Sequence, residues 1–302
     1  MNIQKVLFTF LLLVPFFGVA QQKTHVPDDD FEFYLYMLGC DDDVYGNDSV
    51  WTSAIDTITS LGFPWSDYKG IEDFVSLKYF NCDNNSNLTI LDLSTNVNLE
   101  TISCWYTNVN RIIVNGCSVL QVISCQDSKI DSIDISNNPL LWKLRIPNNP
   151  LESLDVSNNL DLRYLSLGND WKSPISVDIT NNSELDFFSC TGAQNLVKVD
   201  ARNGNNTMIT HFNLLSNPNL ECVLVDDSVY TVNNPNWYFD DVNLFRENCT
   251  TSVGLEEYEN VEEDRILMKI VDILGREINP VPNVLLFYLY KDGTVEKKLI
   301  IE

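Results

Sequence analysis

Residues 130–150, IDSIDISNNPLLWKLRIPNNP, are followed at once by LESLDVSNNLDLRYLSLGND, a near copy of the same phrase. A chain that restates itself at so short an interval cannot fold as an ordinary globule. Each copy carries too few apolar residues to enclose a core alone, so the copies must stack. Alignment by apolar residues separates each copy into two halves. The first half reads L-x-x-L-x-C/L-x-x-N and begins at Leu77, Leu99, Leu120, Leu141, Leu162, Leu185 and Ile209. Successive starts lie 22, 21, 21, 21, 23 and 24 residues apart. The second half reads L-x-x-L-D-V-S-N-N, as in LTILDLSTN, VNRIIVNGC, IDSIDISNN, LESLDVSNN, PISVDITNN and LVKVDARNG.

This interval falls in the range of leucine-rich repeats. It predicts a leucine-rich repeat solenoid: a parallel β-sheet of about 7–8 coils of 21–24 residues, few helices, a cap at each end and a small C-terminal β domain. Positions one, four and six of the first half point inward, and the extended L-x-x-L-x-C segments pair in parallel about 4.8 Å apart. The Asn that closes each half suits the bend, because its side chain can satisfy backbone groups there. In VPDDDFEFYLYMLGC, Phe31, Tyr34, Leu35 and Leu38 fall at helical spacing behind the acidic Asp28, Asp29 and Asp30. That predicts a short amphipathic helix, ended by Gly39, shielding the first coil. The segment after LECVLVDD drifts into an irregular Trp- and Asn-rich tail.

Charge narrows the function classes. The chain has 302 residues, 43 acidic against 19 basic, and a net charge of −24. With no basic stripe, nucleic acid and anionic membrane surfaces are excluded as partners. Lys5, the apolar run from Val6 to Phe17 and the small residues Gly18, Val19 and Ala20 read as a cleavable signal peptide over 1–20. No other stretch is long enough to insert in a membrane. The chain is expected to be exported and, once exported, soluble.

Cys82, Cys104, Cys125 and Cys190 all occupy position six of the repeat, where sibling coils carry Leu or Ile. There they read as free, buried, apolar residues rather than metal ligands. Cys222 and Cys249 lie together at the C-terminal end of an exported chain, and a disulfide between them is expected. Cys40 and Cys117 have no evident role.

Both caps and the repeats, with THVPDDDFEFYLYMLGCDDD, GIEDFVSLKYFNCDNNSNLTILDLSTN and LECVLVDD…NW…FRENC, resemble secreted bacterial leucine-rich repeat proteins over about residues 22–250. In relatives the acidic loop after the first helix resembles a calcium loop. Here DDDVYGNDSVWT keeps Asp41, Asp43 and Gly46 but lacks an acid at its fifth and twelfth positions, so it reads as a solvated loop and no metal is assigned. The C-terminal RILMKIVDILGREINPVPNVLLFYLYKDGTVEKKLIIE predicts three strands, 266–273, 284–290 and 295–301. Through VDILGRE, YKDGT and KKLIIE it resembles the C-terminal sorting domain of type IX secretion cargo. That implies the type IX machinery as a partner, and secretion or display on the outer surface of a Gram-negative bacterium. The resulting division is signal peptide 1–20, N-terminal cap 21–57, repeats 58–227, C-terminal cap 228–252, acidic linker 253–264 and sorting domain 265–302.

Enzyme signatures are missing: no Gly-x-Ser-x-Gly, no phosphate-cradling glycine loop, no His-Glu-x-x-His and only two histidines. The recurring Asp92, Asp134, Asp155, Asp178 and Asp200 return with the architecture and are read as part of it. No catalytic residue and no cofactor is assigned. Non-recurring positions carry more information. Tyr79, Lys143, Tyr164, Phe187 and His211 take position three, with Trp105, Tyr106, Trp142, Arg145 and Arg163 close in sequence. Aromatics and arginine dominate binding hot spots, so these ten residues form the candidate ligand face. A module for binding or adhesion to an extracellular protein or glycan is the leading expectation. The alternatives are an extracellular carbohydrate-active enzyme or accessory subunit, marked by two carboxylates facing each other in a concave pocket, and a structural envelope protein without a specific ligand, marked by a uniformly polar face.

Overall fold

The computed structural model of the protein describes residues 22–41, 46–62, 64–169, 174–246 and 249, together with 267–271, 276, 278, 285–290 and 295–299. The signal peptide, Asp43 and the acidic linker lie outside the described residues. The chain divides into two units, Met1–Cys249 and Thr250–Glu302. No helix among the described residues is long and apolar enough to cross a membrane.

In the first unit the inward positions decide the architecture. Positions one, four and six are buried in all seven coils, from Leu77, Phe80 and Cys82 to Ile209, Phe212 and Leu214. Each large apolar side chain removed from water stabilises by roughly 1.5–3 kcal/mol, and only stacked coils can supply that removal. The position-three residues pair as Tyr79↔Thr101, Thr101↔Val122, Val122↔Lys143, Lys143↔Tyr164, Tyr164↔Phe187 and Phe187↔His211, all parallel. The repeat spacing is therefore the register itself, and the chain is a leucine-rich repeat solenoid. The front sheet has nine strands, because Ser60–Gly62 precedes the seven and Trp237–Tyr238 follows them. That last strand lies in the tail read as irregular.

The second halves form the back of the coil. Ile90–Asp92, Arg111–Ile113 and Ser132–Ile133 make one parallel sheet; Ser176–Asp178, Lys198–Asp200, Cys222–Leu224 and Phe245–Arg246 make another. Two ladders of polar side chains hold the bends. In one, Asn138 Nδ2 donates to the carbonyls of Val114 (3.1 Å) and Cys117 (2.8 Å), and Asn159 to those of Ile135 (3.1 Å) and Asn138 (2.9 Å). Asn96 and Asn182 repeat the pattern. Cys117 occupies the same rung, its Sγ donating to Leu93 O at 3.1 Å and Asn96 O at 3.6 Å. In the other ladder Asn149 donates to Cys125 O and Asn217 to Cys190 O, each at 2.7 Å. The recurring aspartates are structural: Asp134 accepts from Ser136 N (3.0 Å) and Oγ (2.7 Å), and Asp178 from Thr180 N (2.9 Å) and Oγ1 (2.7 Å).

The N-terminal cap contains the helix Asp29–Met37. Asp28 caps it by accepting from Phe31 N at 2.8 Å, and Gly39 leaves it at φ 75°. Phe31 and Leu35 are buried, with Phe31 stacked on Trp65 at 4.2 Å between ring centroids. Leu38, expected on the inward face, is 51 % exposed because it is already the C-cap, turned out of the helix. The C-terminal unit contains the antiparallel strands Leu267–Val271, Leu285–Tyr290 and Val295–Leu299.

Two disulfides are present, Cys222–Cys249 and Cys104–Cys125. The second corrects the reading of all four ladder cysteines as free thiols. Position six of adjacent coils is in register, which sets the two Cα atoms 4.5 Å apart, within disulfide reach. Cys40, Cys82, Cys117 and Cys190 are free and buried. Burial, with a smaller contribution from Asp92, pushes the Cys117 thiol up to about 11, and burial takes Cys190 to about 12.

Candidate functional site

Alternation along a strand sends positions three and five of every coil out of the front sheet. In the C-terminal half of the solenoid, position three carries flat rings whose coil-to-coil distance matches stacking. Tyr164 and Phe187 lie 4.1 Å apart with 6° between planes, and Phe187 and His211 4.4 Å apart at 9°. Tyr238, on the added last strand and in register with Asn213 of position five, meets the end of the row with its ring tilted 45° at 5.2 Å from His211. Lys143 closes its other end, with Nζ 5.0 Å from the Tyr164 centroid. Because the rings cover one another's faces, the row presents ring edges to solvent.

Position five forms a second, polar row: Asn81, Ser103, Ser124, Arg145, Ser166, Ser189 and Asn213. The Arg145 guanidinium lies 5.1 Å from the Trp105 ring centroid. Trp105 reaches toward it across the intervening strand and donates Nε1–H to Ser124 Oγ at 2.9 Å.

The ten sequence-selected residues do not form one patch. Lys143, Arg145, Tyr164, Phe187, His211 and Trp105 share the flat face. Tyr79 is separate, three strands from Lys143, with its hydroxyl 3.3 Å from Glu100. Tyr106 stands at position eight, 56 % exposed and at φ 54°. Trp142 and Arg163 occupy position two, before the strand proper, and open onto a groove of about 740 Å³ at the strand entrances. Leu140, Gln121, Tyr164, Asp161 and Asp186 line the same groove. Two carboxylates thus share a concavity, the arrangement expected of a glycosidase. Both are exposed.

Residue-by-residue reading missed Tyr238, because its coil is 25 residues long (Phe212↔Trp237) and escapes the 21–24 interval. It also missed Glu32, a buried acid on the cap helix. Glu32 accepts backbone N–H bonds from Gly46 (3.1 Å), Asn47 (3.0 Å) and Ser49 (3.3 Å) and so fixes the end of the acidic loop. Its carboxylate lies with those of Asp29 and Asp48 within 4.8 Å.

No protein-family model matches the chain, and no curated protein matches its sequence. Among solved structures it is similar to a functional domain of InlJ from Listeria monocytogenes, described as including a cysteine ladder. The identity is 18 %, with 72 % of this chain and 70 % of that one covered, at a TM-score of 0.39. Internalin C2 of the same organism shares 19 % identity over 67 % of this chain and 97 % of that one, at a TM-score of 0.36. Likeness at this level says nothing of ligand or activity; the fold class rests on the register of this chain's own strands.

Proposed function

We propose that this chain is an exported binding module that holds an extracellular protein on the front face of its solenoid. The observation that carries the reading is the row Tyr164–Phe187–His211 of stacked rings, closed by the Lys143 ammonium at one end and met by Tyr238 at the other, on a sheet whose recurring positions do not require it. Tyr and Arg are hot-spot residues, and a solenoid offers an extended surface. Two disulfides fit an oxidising compartment. A panel of purified extracellular proteins and glycans tests the assignment against a front variant, Tyr164→Ser/Phe187→Ser, and a back variant, Ile90→Ser/Arg111→Ser. A partner held by the wild type and the back variant, and weakened about tenfold or more by the front variant, is the expected result. Equal binding by wild type and front variant overturns it.

Residues 265–302 are proposed to carry the export address, supported by the sorting-domain resemblance and by the separate unit Thr250–Glu302. Deleting 265–302 in cells with type IX machinery should abolish surface delivery. Delivery at the wild-type level refutes the address.

A further inference from the structure

The strand Lys143–Arg145 is the fifth of nine in the front sheet, the middle of the proposed face. Both of its outward side chains are cations, and each rests on an aromatic ring from another coil, Lys143 on Tyr164 and Arg145 on Trp105. Trp105 is itself held at both ends. Its backbone N–H donates to Asp83 Oδ1 at 2.7 Å and its indole N–H to Ser124 Oγ at 2.9 Å. A guanidinium held over a fixed ring leaves its in-plane N–H donors clear of that ring. Lys78, Lys198 and Arg202 are held in ion pairs. Neither the Lys143 nor the Arg145 side chain has a carboxylate or hydrogen-bond partner among the described residues, in a chain with 43 acidic side chains.

We propose that Lys143 and Arg145 are the receptor for the carboxylates of an acidic, extended protein segment. The assignment rests on the front-face reading and names the chemistry of its partner. Outward positions two residues apart on a strand are separated by about 6.6 Å, the same period at which an extended segment presents every second side chain. Carboxylates at alternate positions therefore meet the two cations in step. Arg145 takes one through its paired N–H fork, and Lys143 meets the other as a point charge. The flanking ring edges suit the segment's apolar side chains. They do not suit a sugar, which stacks on an open ring face, because Phe187 is covered on both sides and Tyr164 lies between Phe187 and Lys143. The net charge of −24 repels an acidic partner at a distance. Screening within about 8 Å at physiological salt leaves the contact to the local pair of cations.

The full chain is titrated by NMR or calorimetry with an alternating Glu-Thr peptide, its Gln-Thr counterpart and polygalacturonate. The Glu-Thr peptide should bind, and both the Gln-Thr exchange and Arg145→Gln should weaken it about tenfold, the loss expected for a charge-assisted hydrogen bond. Arg145→Lys, which keeps the charge but loses the fork, should give a smaller loss and serves if Arg145→Gln does not fold. Arg111→Gln on the back should change nothing. Undetectable peptide binding, or full binding by Arg145→Gln, overturns the proposal. So does Arg145-dependent capture of polygalacturonate without the peptide, an outcome that moves the ligand to an acidic glycan and leaves the front-face reading intact. Loss of peptide binding by Arg111→Gln but not by Arg145→Gln removes the front-face reading as well.

Discussion

Cys117 stands on a rung where Asn96, Asn138, Asn159 and Asn182 stand in other coils, and its thiol makes the contacts their amides make. A thiol is a weak donor. Cys117→Asn should therefore keep the fold and raise stability by about 1 kcal/mol, the net value of a hydrogen bond, read by urea denaturation. Asn159→Ala removes two bonds to buried carbonyls. Because Asn159 Oδ1 has no partner among the described residues, the cost should stay within about 1–3 kcal/mol. Position eight shows the opposite mismatch. It adopts positive φ in all seven coils, at Asn84, Asp127, Asn148, Asn169, Gly192 and Ser216, and also at Tyr106. A bulky side chain costs about 1–2 kcal/mol in that conformation and Asn much less. Tyr106→Asn should stabilise by about 1 kcal/mol in the same assay. Loss of partner binding in that variant would show that the exposed ring is retained for contact.

At the scale of elements, the caps and cross-links carry the testable energetics. Asp28 is both the helix cap and the tie to the loop at Ser66 and Asp67. Burial raises its pKa, but hydrogen bonds from the Ser66 hydroxyl and from the backbone of Phe31, Asp67 and Ser66 outweigh this and hold it below 3.8. A depressed carboxyl stabilises the fold above its unfolded pKa, and that contribution is lost as pH falls through the folded value. Between pH 6 and pH 2 the wild type should lose more stability than Asp28→Asn, as thermal melts across that range would show. The two disulfides should differ in exposure to reductant. Cys104 and Cys125 are fully buried in the ladder, whereas Cys249 is only half-buried at the end of the unit. Under native conditions a mild thiol should open Cys222–Cys249 first, followed by non-reducing peptide mapping. Each closes a loop of 20–30 residues, worth about 3 kcal/mol in the chain-entropy model.

For the whole molecule, stability is a sum of coils and their interfaces. Deleting 141–161 removes one period between Leu141 and Leu162 and lets the coils on either side meet in register. The product should fold with a lower melting midpoint and lose the Lys143–Arg145 receptor together with peptide binding. Deleting half that length should not fold, since every later front strand would be carried to the back of the coil, out of register with the front sheet before it. A chain ending at Cys249 should melt as the full chain does, because residues 250–302 form a unit of their own.

The repeat interval by itself determined the solenoid, the register and the inward set. Spacing of 21–24 residues and one buried side chain at each of three positions leave few other ways to enclose a core. It also marked the aromatics of position three as exceptions. Tertiary structure alone decided what those exceptions make. Stacking of Tyr164 on Phe187 and of Arg145 on Trp105 joins residues 23 and 40 positions apart through coil-to-coil distances that no single copy contains. The same proximity paired Cys104 with Cys125, since in-register neighbours come within bonding reach whether or not their column elsewhere carries leucine. Separation of Trp142 and Arg163 from the flat face likewise depends on where each strand begins. That boundary is set by pairing with the next coil, which the residues of one coil do not encode.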